Sequence, residues 1–134
     1  MHKENLFKLV RNEDVILWAG AGCSLYAGYP SGNELAEKIY SELTVSERLQ
    51  VNKNLLLPDL SEEFYRIKGG KKQRLLEILI KTFRDTKPKS TQFHDRLATV
   101  PHLKTIITTN YDCLFENAYG TNHRLAFLDK HIPY

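Results

Sequence analysis

At 134 residues, with 42% hydrophobic and 26% charged residues, the chain has the balance of one soluble globular domain, burying roughly two thirds of its unfolded surface. No apolar run approaches the roughly 20 residues that cross a bilayer. The polar start Met1-His2-Lys3-Glu4-Asn5 lacks a signal peptide's apolar core, so a cytoplasmic protein with no membrane partner is expected. The net charge of +3 is modest, and Cys23 and Cys113 lie far apart with no C-x-x-C pair, which argues against nucleic acid, a thiolate metal site and a disulfide framework.

Residues 5–11 read as a short helix with Leu6, Phe7, Leu9 and Val10 available to pack, and Asn12-Glu13-Asp14 turns the chain into a strand. That strand, Val15-Ile16-Leu17-Trp18, is apolar without alternation, as suits a parallel strand covered on both faces. It breaks into Gly20-Ala21-Gly22-Cys23-Ser24, where paired glycines let a ligand approach the backbone. Past Gly28-Tyr29-Pro30, Ser31 with Glu34 forms a capping box for a helix over about 32–43. Thr44 with Glu47 repeats the device for a helix that Pro58 is expected to stop.

Leu60, Phe64 and Ile67 mark the next helix, ended by Gly69-Gly70, and Leu75 to Phe83 a heavily apolar one. The basic run from Lys68 to Arg74 joins these two without aromatic interleaving and reads as a solvated junction. Phe93, Leu97 and Val100 predict a short helix ended by Pro101. Residues 103–109 are rich in β-branched side chains and predict a second strand, followed by Asn110-Tyr111-Asp112 and a helix over about 113–119 closed by Gly120. The expected fold is α/β, a Rossmann-like parallel sheet with a helical insert at about 32–100, forming an incomplete domain. In such sheets the ligand crevice lies outside the carboxyl ends of the strands, where both polar loops would converge.

Gly20-Ala21-Gly22 alone is a weak signal. The dehydrogenase fingerprint fails because Leu25 occupies the place of its third glycine, and no Gly-Lys-Ser/Thr follows to make a nucleoside-triphosphate loop. The combination of Gly20-Ala21-Gly22-Cys23-Ser24, Tyr29-Pro30 and Thr108-Thr109-Asn110-Tyr111-Asp112, with Leu114, Phe115 and Glu116 after it, resembles the sirtuin-like NAD-consuming family. The likeness is to its bacterial anti-phage NADase branch, covers residues 15–116, and is to the amino-terminal part only.

The resemblance implies that NAD is the substrate, that backbone amides from Gly20 to Ser24 hold its diphosphate, and that the Ser24 hydroxyl lies near the nicotinamide ribose. It places Pro30, Thr108, Thr109 and Tyr111 in the cofactor site, Asn110 at the ribose or an attacking water, and Asp112 on the carboxamide. Nicotinamide leaves without protonation, so the site must orient the glycosidic bond, support an oxocarbenium-like centre and present a nucleophile.

Bland alternatives stand beside these roles. Ser24, Asn110 or Asp112 serves equally well as a helix cap. Cys23 at a helix start has an activated thiol as its functional reading, Cys113 reads as core, and Trp18 and Tyr111 as packing aromatics. The family's base is a histidine followed by glycine downstream of the second motif, and this chain has no such pair. His131 is the better substitute, ahead of His123, while His94 and His102 read as structural. The zinc cysteines of the deacylating branch are absent, which disfavours protein deacylation.

The reading is therefore an NAD glycohydrolase releasing nicotinamide and ADP-ribose in defence by NAD depletion. A fused or associated effector or sensor domain and self-association stay open as partners. The competing readings are a non-catalytic module binding NAD or ADP-ribose, and an interaction protein working through residues 34–83.

Overall fold

The computed structural model describes residues 3–120, which are helical with one small parallel sheet and form an α/β structure of the Rossmann-like kind. They divide into two compact units, one holding the chain up to Cys23 and from Ser90 onward, the other Ser24–Lys89.

In the first unit, helix α1 (Lys3–Arg11) leads into strand β1 (Ile16–Ala19), and helix α6 (Gln92–Ala98) precedes strand β2 (Thr105–Thr108) and helix α7 (Leu114–Tyr119). The strands pair in parallel from Ile16 opposite Thr105 to Ala19 opposite Thr108. Ala19, Leu103, Ile106, Phe115 and Tyr119 are buried together, with Leu17, Leu97 and Val100 packed against them. Burying each large apolar side chain contributes about 1.5–3 kcal/mol.

Two expectations need correction here. Strand β1 is not covered on both faces among the described residues: Ile16 and Trp18 are 62% and 69% exposed, because α6 and α7 supply core partners only to the side carrying Leu17 and Ala19. Trp18 therefore does not serve as a packing residue there. Helix α1 likewise buries none of its residues, and Phe7 stays 59% exposed.

The second unit holds helices α2 (Gly32–Ser41), α3 (Val45–Arg48), α4 (Leu57–Ile67) and α5 (Gln73–Leu79), the last continuing into a π-helical turn, Ile80–Arg84. Both expected capping boxes form: the Ser31 and Thr44 hydroxyls accept from the Glu34 and Glu47 amides, whose carboxylates accept in return from the Ser31 and Thr44 amides. Leu35, Ile39, Leu43, Val51, Leu60, Phe64 and Ile78 make the core.

The helix starting at Thr44 is a single turn rather than a run to Pro58, and Pro58 opens α4 instead of ending its predecessor. Proline is suited to the first turn of a helix, where its missing N–H would have no acceptor anyway. The basic run is partly neutralised: Lys68 bonds Glu47 at 2.8 Å, and Arg74 bonds both Glu77 and Glu42. Among the described residues, no helix is long and apolar enough to cross a membrane.

Candidate functional site

Parallel pairing puts the carboxyl ends of β1 and β2 side by side. The Thr109 amide donates to the Ala19 carbonyl at 3.2 Å, carrying the ladder one residue past the strand before both chains turn away. Both turns lie in the first unit, at 20–23 and 109–113.

The glycine segment is not an open loop but the start of a 3-10 helix, Ala21–Ala27. The Cys23 amide donates to the Gly20 carbonyl at 2.9 Å, so this amide does not join the others as an anion donor as expected. The opening residues of such a helix have no intrahelical acceptor for their N–H groups, and Ala21 and Gly22 are exposed. A Cβ built at Gly20 or Gly22 meets nothing within 4 Å, and neither residue has a left-handed φ. The fold itself therefore does not require glycine at either place.

Ser24 is buried inside the 3-10 helix, and the cap of the following helix is Ser31, so capping does not explain Ser24. Pro30 is half-buried at the start of the Ser31 turn. Both belong to the second unit. There Gly28 has φ 86, and the Lys89 side chain passes so close that a Cβ would lie 2.9 Å from its Cδ. The Lys89 amide also donates to the Ala27 carbonyl at 2.8 Å.

In the second turn the Asn110 amide donates to Thr108 Oγ1 at 3.1 Å, and the Leu114 amide donates to Asp112 Oδ1 at 3.0 Å. Thr108 and Asn110 are half-buried, Asp112 is 5% exposed, and Thr109 and Tyr111 lie at the surface. Asp112 thus performs part of the capping alternative through one oxygen, since a side-chain acceptor two residues before an amide stabilises a turn into a helix. At 62% exposure Tyr111 is not a buried packing residue.

Cys113 is exposed rather than core. Partial withdrawal of its thiol from water, then the Glu116 and Asp112 carboxylates, push that thiol upward, opposite to what an activated nucleophile needs. Cys23 is half-buried.

Of the histidines, His102 is exposed and approaches Glu13 at 3.8 Å, while His94 is fully buried. The His94 ring stands edge-on to Phe115 at 4.3 Å and to Phe93 at 5.4 Å. Burial lowers its proton affinity, opposed first by Asp112 and then by Asp95. Sequence reasoning reads His94 as structural, and its buried ring packed against Phe93 and Phe115 fits that reading. His123 and His131 lie outside the described residues.

No protein-family model matches the chain. It is 34% identical over 119 residues to a protein named NAD(+) hydrolase ThsA from Bacillus cereus (strain MSX-D12), covering 89% of this chain and 24% of that protein. Its identity to proteins of the same name is 31% in Acinetobacter baumannii (strain 532279) and 29% in Cytobacillus dafuensis, covering 92% and 86% of this chain and 24% and 22% of theirs. The chain spans about a quarter of the length of these curated relatives. It is a homologue of the ThsA NAD(+) hydrolases along that quarter, and the sirtuin-like resemblance carried by its two motifs is borne out.

Proposed function

We propose that the chain carries the NAD site of a sirtuin-like NAD glycohydrolase acting in the cytoplasm in bacterial anti-phage defence by NAD depletion. The observation that carries this reading is the parallel register, Ala19 opposite Thr108, which sends the glycine turn and the Asn110–Asp112 turn away from adjacent strand ends. Ligands of open α/β sheets bind there. The names of the three relatives support NAD as the substrate.

The exposed opening of the 3-10 helix supplies amides for the diphosphate, and the empty space beside Gly20 and Gly22 admits it. Asn110 orients the ribose or a water at its anomeric carbon, and Asp112 holds the carboxamide. The bond from ribose C1′ to the nicotinamide nitrogen breaks with its electron pair leaving on the ring. Water oxygen then adds to C1′ and loses a proton, giving nicotinamide, ADP-ribose and H⁺. His131 is the proposed acceptor of that proton.

Calorimetric titration of the chain with NAD tests the binding half of this account. The wild type binds and Gly22→Val does not, while both unfold at the same temperature. A Gly22→Val variant that binds NAD like the wild type overturns the assignment of the glycine turn.

A further inference from the structure

The helical unit holds a charged cavity that the NAD reading does not use. About 270 Å³ in volume, it lies wholly within the second unit, between the end of α2 and the stretch where α5 continues into the π-helical turn. That is below the roughly 300 Å³ at which sites for drug-sized ligands begin, and suits a small ion or headgroup. Ile78 and Thr82, 7% and 6% exposed, are its buried wall. Thr82 belongs to the π-helical turn, closed by the Asp85 amide donating to the Ile80 carbonyl at 3.1 Å. Such turns are rare and are frequent at functional sites. The Thr82 hydroxyl makes no hydrogen bond among the described residues, whereas a buried polar group normally has a partner.

The charges around the cavity divide into paired and unpaired. Arg74 bonds both Glu77 and Glu42, so one guanidinium takes both carboxylates of the rim and ties α5 to α2. Lys38 and Lys81 line the same cavity and form no salt bridge among the described residues. Carbonyls at the end of α2 would repel an anion, but they are covered: Arg48 donates to the Ser41 carbonyl at 2.7 Å, and the Glu42 and Leu43 amides donate to Ile39 and Tyr40. The Ser41 and Thr86 hydroxyls are spent on the Lys38 and Lys81 carbonyls. Two ammonium groups and the Thr82 hydroxyl are therefore the donors left without a partner.

We propose that this cavity binds a small oxyanion of the phosphate type, held by Lys38 and Lys81 with Thr82 as the buried donor. The Arg74 bridge keeps the two carboxylates off the lysines. The site shares no residue with the glycine turn and does not depend on the NAD reading. A free phosphate ion and the end of a phosphate ester present the same oxygens to these donors.

Calorimetric titration of the whole chain with inorganic phosphate and with adenosine monophosphate, in a buffer free of other oxyanions, tests the site. Wild type binds phosphate; Lys38→Met and Lys81→Met each weaken it by about tenfold, and Thr82→Val by about fivefold, with unfolding temperatures held. Methionine keeps the apolar stem, and valine keeps the shape of threonine without its hydroxyl. Tighter binding of the monophosphate assigns the site to a phosphate ester, and equal or weaker binding to the free ion. Gly22→Val is expected to bind phosphate like the wild type.

Phosphate binding that is lost in Gly22→Val and kept in Lys38→Met belongs to the glycine turn and overturns the proposal. A wild type that binds no phosphate overturns it too, as do lysine variants that bind like the wild type. Loss in the lysine variants with none in Thr82→Val shows attraction to surface charge alone and removes the built site. Should Thr82→Val not fold, Thr82→Ala takes its place in the comparison.

Discussion

Gly22 and Gly28 lie six positions apart and answer to different demands. At Gly28 the chain requires glycine, because φ 86 is a conformation that costs an L-residue roughly 1–2 kcal/mol. The Lys89 stem in its way can move, but the backbone strain cannot be relieved. Gly28→Ala is therefore expected to lower stability by about 1–2 kcal/mol in a denaturant titration. At Gly22 the added atom meets nothing, and Gly22→Ala is expected to change stability by less than about 1 kcal/mol. Equal losses at the two positions would contradict the distinction on which the ligand space beside Gly22 rests.

At this scale much of the candidate site is legible beforehand. Glycines after an apolar strand and Asn110 and Asp112 after a β-branched one carry their chemistry in local order. The exposure of Cys113 is not legible, because a residue at the start of α7 falls on either side of a short helix according to packing that the local sequence does not encode. The burial of His94 against Phe115 is a tertiary matter of the same kind.

Among the elements, caps are read with more success than lengths. Ser31 and Thr44 open their helices as the Ser/Thr-x-x-Glu spacing predicts, since the capping hydrogen bonds are local. The length of α3 is not local: residues past Arg48 leave the helix to bury Val51 against Leu60 and Phe64. Pro58 was expected as a terminator because proline is tolerated at both kinds of boundary, and only the structure shows which side is helical.

Glu47 joins two elements, capping α3 and receiving Lys68 from the end of α4 at 2.8 Å. The Lys68 hydrogen bond, then the Thr44 amide, hold its carboxyl down to about 2 from the usual 4.5. A depressed carboxyl contributes stability that is fully present above the unfolded value and is lost as pH falls through the folded one. Wild type is expected to unfold at a higher temperature than Glu47→Gln above pH 4.5, the difference shrinking towards pH 2. A difference independent of pH would show that the carboxylate's charge is not what stabilises the junction.

For the whole molecule, the α/β character was legible because strand composition and helix periodicity are strong, whereas the covering of the sheet was not. The apolar run of β1 predicts two covered faces, yet Ile16 and Trp18 stand open among the described residues. Since Trp18 is the sole tryptophan, fluorescence reports this face directly. The emission of a water-exposed indole, quenched by iodide, is expected. A blue-shifted, unquenched emission would show that the face is covered in solution.

The central claim is that the adjacent ends of β1 and β2 form a hydrolytic NAD site. Nicotinamide release from NAD, measured for the wild-type chain and Asn110→Ala, tests it most directly. The account predicts release by the wild type that falls by about a hundredfold or more in Asn110→Ala, as when a group that supports the transition state is removed. Equal release by both proteins, or NAD binding by the wild type with no release at all, would contradict it.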